Sequence, residues 1–324
     1  MNKTETAPSR LLSYARLTRI PNVFTAFADI GMGLAFVDFP LRERPWGGAL
    51  LFAASGLLYT AGMVLNDVFD LDIDAVERPK RPLPSGQIDA AWARRLGLTL
   101  LGLGVACGFA AGILAAPPGA LPGRSGIVAS LVALCVVAYD LYLKRTWLGP
   151  VGMGLCRVGN VLLGMSLASH STALLPSLTY EPSQWLAAGG IGVYIVGVTW
   201  FARTEATDSQ RGPLIASQAV MAAGILLIGI LPEHAGEYGQ VMFKPAVFWP
   251  VLLAALFVPI VRRGANAILH PRPERVQAVV KNCIQSLILF DAAIAMGTHG
   301  SNWGIAVLAL LAPMVILGRW VYST

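Results

Sequence analysis

Gly62-Met-Val-Leu-Asn66-Asp67-Val-Phe-Asp70-Leu-Asp72-Ile-Asp74-Ala-Val-Glu77-Arg78-Pro79-Lys80-Arg81-Pro82-Leu83-Pro84-Ser85-Gly86 is where a long apolar run ends in a burst of charge. Four of the ten aspartates in the 324-residue chain fall between positions 67 and 74. No Gly or Pro interrupts Met63 to Asp74, so the sequence predicts one helix carried through to its polar end. At about 100° per residue, Asn66, Asp67, Asp70 and Asp74 share an arc of about 100°, and Asp72 points about 140° away from Asp67. Three carboxylates on one stripe repel each other, and the dipole at a helix C-terminus disfavours them further. A solvated helix end is the plainer reading. The specific one is that something cationic sits on the stripe.

Hard divalent ions suit such a stripe. Mg2+ takes oxygen ligands, keeps several waters and bridges one or two carboxylates to phosphate oxygens. The loop that follows carries Arg78, Lys80 and Arg81 among three prolines and a glycine, which end the helix and hold basic groups beside the acids. Such a loop can hold a diphosphate, or act simply as a basic anchor at a membrane surface.

Upstream and downstream the chain is apolar. Hydrophobic residues make up 55% and charged residues 13%, where soluble domains carry roughly a quarter of their positions as charge. Mean hydropathy is +0.62. This excludes an ordinary soluble enzyme, a disordered chain and a disulfide scaffold, and points to an all-α integral membrane protein. Apolar runs near 22–38, 47–66, 95–116, 126–143, 148–168, 186–203, 213–231, 246–261, 279–297 and 303–320 predict ten spans. The division expected is a segment over 1–21 followed by one transmembrane domain over 22–324. No cleavable signal peptide is expected at the N-terminus.

Alternate loops differ in charge. Nineteen Lys and Arg fall on one side and four on the other, with Arg157 inside a span. The rule that basic loops stay inside then puts both termini and the acidic stripe on the cytoplasmic side. The net charge of +6 is spread between apolar runs, which favours lipid headgroups or an anionic substrate over nucleic acid as partner. Cys107, Cys135, Cys156 and Cys283 lie scattered in apolar stretches and read as small packing residues. Gly97, Gly102, Gly104, Gly108 and Gly112, and Gly152, Gly154, Gly159 and Gly164, read as helix-contact positions. Asp29, Asp291 and Arg157 lie within spans, where charge is usually paired; an Asp29–Arg157 or Asp291–Arg157 pair is expected, or a role near an acceptor.

The stretch from Asn66 to Gly86 resembles the UbiA superfamily of intramembrane prenyltransferases. Asn66, Asp67, Asp70 and Asp74 match its first aspartate-rich motif N-D-x-x-D-x-x-x-D, and Arg78 to Gly86 match the R-P-x-R-P-L-P-S-G continuation. Arg19-Ile-Pro-Asn22 and Tyr139-Asp-Leu-Tyr-Leu-Lys144-Arg145 are similar to further family elements, which implies diphosphate contacts from Asn22, Tyr139, Lys144 and Arg145. The resemblance implies a bundle of nine or ten transmembrane helices in a bacterial inner or organelle membrane. It implies Mg2+-dependent transfer of a prenyl group from a prenyl diphosphate to a lipophilic or aromatic acceptor, through an allylic cation. Asp67, Asp70, Asp74 and Asp208 would be the catalytic residues, and Asn66, Asp67, Asp70, Asp74, Glu205 and Asp208 the metal ligands.

The second motif departs from the family pattern. In Arg203-Thr204-Glu205-Ala-Thr-Asp208-Ser-Gln-Arg211, Thr204 takes the place of the first aspartate of D-x-x-x-D. Glu205 and Asp208 still share a helix face, and Arg211 is implied as a substrate contact. The variant is similar to the UbiA-like proteins called EboC. Alternatives are an inactive prenyl-lipid-binding or scaffold member, and an ion-coupled transporter, which would need inverted repeats with broken helices.

Overall fold

The computed structural model describes residues 10–116, 118, 122–168, 180–205, 209–231 and 245–321. Among these no strand occurs, and the apolar runs fold as helices. The short α1 (Arg10–Leu17) leads through a 3-10 turn at Ile20–Asn22 into α2 (Val23–Phe36). Then come α3 (Pro45–Phe69), α4 (Leu71–Glu77), α5 (Ala90–Ala115), α6 (Arg124–Leu141) and α7 (Gly149–Gly164). The second half holds α8 (Pro182–Ala202), α9 (Arg211–Gly229), α10 (Pro245–Leu269), α11 (Pro273–His299), α12 (Ser301–Ala309) and α13 (Leu311–Leu317). Seven of these (α3, α5, α6, α8, α9, α10 and α11) are long and apolar enough to cross a membrane, among the described residues. The runs near 22–38, 148–168 and 303–320 fold as shorter helices, the last one divided between α12 and α13. The protein is thus an all-α, multi-span membrane bundle.

From α5 to α11 each helix packs on the next in chain order; α5 also packs on α3, and α2 touches α3, α7 and α11, closing the series on itself. Small residues let α2 come close to α7. A Cβ built on Gly33 would stand 2.7 Å from the backbone carbon of Gly164, and one on Gly164 would stand 3.0 Å from the Asp29 carbonyl oxygen. Gly104 likewise meets Leu58 and Gly108 meets Ala129, as glycine-rich helix contacts in lipid require. Gly102 faces open space and has no such role.

The acidic stripe corrects one expectation. The helix does not run unbroken from Met63 to Asp74; α3 ends at Phe69, Asp70 takes φ −98 and ψ 7, and α4 starts at Leu71. The physical reason lies in the helix dipole. In a continuous helix Asp72 and Asp74 would sit at a C-terminus, whereas the break places them in the first turn of a new helix, where acids are favoured. Hydrogen bonds from Asp70 N to Asn66 O (3.0 Å) and from Asp74 N to Asp70 O (2.8 Å) carry the chain across the break, so the stripe keeps its direction.

The basic loop is held in shape by its own apolar residues. Leu83 and Ile88 are buried with Leu17, Val64 and Ala93, tying the loop and α1 to the end of α3. Gly86 takes φ +73, which favours glycine, and Asp89 caps α5 by accepting from Trp92 N at 2.7 Å.

Candidate functional site

Each carboxylate of the stripe is met by cations from other segments. Arg81 bridges two of them, lying 2.6 Å from Asp74 Oδ2 and 3.4 Å from Asp67 Oδ1. Arg19, before α2, lies 3.1 Å from the same Asp67 oxygen. Lys144 lies 2.8 Å from Asp70 and donates to Asn66 Oδ1 at 3.0 Å, while Arg145 lies 3.4 Å from Asp70 and donates to Phe69 O at 3.1 Å. Asp67 and Asp74 are each only 4% exposed, whereas Asp72 is exposed on the other face, as the helical spacing predicts. Three carboxylates thus stand among four cations at the end of the bundle.

Arg19 has φ 46 and ψ 45, the left-handed region, which costs a non-glycine residue about 1–3 kcal/mol. That turn delivers its guanidinium to Asp67. The basic content of the segment was legible, but its partner lies 48 positions away and the sequence alone did not single out Arg19 as a site residue.

Below the charged cluster a cavity of about 140 Å³ opens between α2, α3, α6 and α7. Arg19, Asn66, Tyr139 and Asp140 stand at its charged end, Leu58, Met63, Val132, Val136 and Met153 form apolar walls, and Ser55, Arg157 and Asn160 line its far end. Ser55 and Asn66 are eleven residues apart on α3, so the cavity reaches about 16 Å into the bundle.

The far end is a polar network. Arg157 lies 2.7 Å from Asp29 Oδ2 and donates to Thr25 Oγ1 at 3.1 Å. Asn160 Nδ2 donates to the same Asp29 oxygen at 2.7 Å, and Ser55 Oγ donates to Asn160 Oδ1 at 2.7 Å. Of the two pairings expected for Arg157, the structure makes the one with Asp29, and Asp291 is buried beside Asp29.

The other expected site residues divide. Tyr139 lines the cavity, and Asn22 lies beside Tyr59 on its wall. Glu205 comes to the cluster from the α8 end: burial pushes its carboxyl above the ordinary range, opposed by Arg78, Arg19 and Arg81. Arg78 therefore lies within electrostatic reach of Glu205. Thr204 shares a hydroxyl hydrogen bond of 2.5 Å with Ser209. Lys80 is exposed, and Arg211 donates to Leu269 O at 3.0 Å, so neither joins the ion pairs of the cluster. Asp208 lies outside the described residues.

The donor chemistry of the stripe fits Mg2+. All its donors are hard oxygens, and Mg2+ needs only one or two carboxylates when phosphate and water supply the rest. Among the described residues no three His, Cys, Asp or Glu side chains converge as a ready-made metal cage.

The sequence profile of the UbiA prenyltransferase family matches residues 24–267. A digeranylgeranylglyceryl phosphate synthase of Ignicoccus hospitalis is 33% identical over 172 residues, covering 53% of this chain and 48% of that protein. One from Metallosphaera sedula is 30% identical over 208 residues, covering 62% and 64%. The chain spans about half the length of the first of these relatives. A UbiA homologue from Aeropyrum pernix K1 superposes with a TM-score of 0.61 at 22% identity, over 93% of this chain and 98% of the other. A UbiA homologue from Archaeoglobus fulgidus bound to DMAPP and Mg2+ gives 0.59 at 15% identity, over 92% and 99%. At these identities the likeness is one of fold.

Proposed function

Because this chain belongs to the UbiA prenyltransferase family, we propose that it transfers a prenyl group from a prenyl diphosphate to a lipophilic or aromatic acceptor within the membrane, with Mg2+ as cofactor. The observation that carries this reading is the joining of a carboxylate-and-cation cluster to an apolar cavity: Asp67, Asp70 and Asp74 with Arg19, Arg81, Lys144 and Arg145 stand directly over Leu58, Met63, Val132 and Val136. In this reading the diphosphate takes the charged end and its hydrocarbon tail runs into the apolar chamber.

In this reading Asn66, Asp67, Asp70 and Asp74 would hold the metal from α3 and α4, with Glu205 and Asp208 of the second motif as further ligands. When bound, Mg2+ neutralises charge that develops on the departing diphosphate. Arg19, Arg81, Lys144 and Arg145 pair with the carboxylates in the free protein and turn to diphosphate oxygens when the ligand arrives. Removing one such donor commonly costs about 10²–10³ in turnover. The allylic carbon–oxygen bond breaks with its electron pair leaving on the diphosphate, and the apolar walls keep water from the cation until an acceptor adds. The relatives named digeranylgeranylglyceryl phosphate synthase favour a glyceryl phosphate lipid as acceptor, and the Archaeoglobus homologue bound to DMAPP and Mg2+ supports the donor class and the metal. The loop charges favour a cytoplasmic site.

The test is mass spectrometry of products made by membranes containing the chain. Geranylgeranyl diphosphate and a panel of glyceryl phosphate lipids and aromatic acids are supplied with Mg2+ or with a chelator. A prenyl mass increment on an acceptor, with diphosphate released, is expected only with Mg2+. Binding of the diphosphate with neither product nor release favours the inactive, lipid-binding reading; vesicle uptake without covalent change favours transport.

A further inference from the structure

Asp140 is the one carboxylate of the cavity wall that none of the contacts above accounts for. It lies one residue before the end of α6, is 3% exposed, and lines the cavity beside Arg19 and Asn66. Its Oδ2 is buried and has no hydrogen-bond partner among the described residues. The stripe carboxylates, by contrast, all pair with cations, and Asp29 pairs with Arg157. Lys144 follows Asp140 by one helical turn but turns its ammonium to Asp70 and Asn66. Asp291 also has unpartnered oxygens, but it packs by Asp29 and does not line the cavity. A buried acceptor without a donor costs about 1–3 kcal/mol, so packing alone does not explain an aspartate there. Its place does: a carbon bonded to a diphosphate held at Arg19 and Asn66 would enter the cavity beside it.

We propose that Asp140 accepts the proton lost by a hydroxyl-bearing acceptor as that acceptor is prenylated, an assignment that rests on the transfer reaction above. The atoms balance without a further reactant. The allylic carbon–oxygen bond breaks and both electrons leave with the diphosphate. An acceptor oxygen gives a lone pair to the carbon, and its proton passes to the Asp140 carboxylate. Ionisation of the donor needs no base; capture by an acceptor hydroxyl held against the cavity wall does, whereas a water that enters can pass its proton on to solvent. The two steps therefore separate in an Asp140 variant.

The experiment uses the full-length protein in membranes, with geranylgeranyl diphosphate as donor and geranylgeranylglyceryl phosphate as hydroxyl acceptor. Donor binding, diphosphate release, prenylated acceptor and prenyl alcohol are measured together. Asp140→Asn is expected to bind the donor within twofold of wild type and to keep Mg2+-dependent diphosphate release. Transfer should fall by about 10²-fold, the usual worth of a general base, with prenyl alcohol rising in its place. Asp140→Glu, which keeps the carboxyl, should recover most of the ratio of transfer to alcohol. Unchanged transfer in Asp140→Asn overturns the assignment. So does loss of donor binding or of diphosphate release along with transfer, which would make Asp140 part of the diphosphate site. If the wild-type chain itself releases no diphosphate and makes no product with any acceptor of the panel above, the transfer reading has failed, and the role of Asp140 with it.

Discussion

At the scale of single residues, charge at one end of the bundle is arranged so that no stripe carboxylate is left without a cation. Asp67 takes Arg19 and Arg81, Asp74 takes Arg81, and Asp70 takes Lys144 and Arg145. Replacing Asp67 or Asp70 by Asn should lower Mg2+-dependent diphosphate release by about 10²–10³-fold, while Asp72→Ala, on the exposed face, should stay within twofold in the same assay. Equal losses at Asp67 and Asp72 would remove the stripe as the site. Deeper in the bundle, Arg157→Met strands Asp29 without its counter-ion, and breaking a buried pair costs about 3–5 kcal/mol. The expected result is a clear drop in Tm in detergent, smaller in the double variant Asp29→Asn, Arg157→Met. The stripe was legible because helical period is local. Arg19 was not, since its role depends on a left-handed turn and a partner contributed by another helix.

At the scale of elements, the break at Asp70 and the close approach of α2 to α7 position the site. The break was hidden because Met63 to Asp74 lacks Gly and Pro, and the signal was electrostatic instead: Asp72 and Asp74 gain a helix N-terminus by it. The α2–α7 contact brings Asn160 and Arg157 to Asp29, and it depends on Gly33 and Gly164 having no side chain. Gly33→Val should overpack this contact, costing about 1–3 kcal/mol or more, and appear as lower folded yield by size-exclusion chromatography. Gly102→Ala, at a position facing open space, should leave yield unchanged or raise Tm slightly, given the better helix propensity of Ala. From sequence alone Gly102 reads like Gly104, Gly108 and Gly164; only the neighbours of each position separate them.

At the scale of the whole molecule, the loops carrying Arg81, Lys144, Arg203 and Glu205 meet at one end, where Arg203 donates to Thr146 O at 2.7 Å and Gln277 donates to Glu205 O at 3.2 Å. If the basic loops lie inside, a Cys placed at Ser85 in a background free of the four native cysteines should react with an impermeant maleimide only in inside-out vesicles. One placed at Arg42, between α2 and α3, should react only in right-side-out vesicles. The reverse pattern would turn the bundle over and put the site outside. The amino-acid sequence by itself determined the membrane class, the helical spans in outline and the face of the acidic stripe, because hydrophobicity and helical period act over a few neighbouring residues. Only the tertiary structure decided which cation meets which carboxylate, that Asp29 rather than Asp291 holds Arg157, that Lys80 and Arg211 stay outside the cluster, and that Asp140 lines the cavity with its Oδ2 unpartnered among the described residues. Those facts depend on which helices lie side by side, and contacts between residues far apart in the chain leave no period in it.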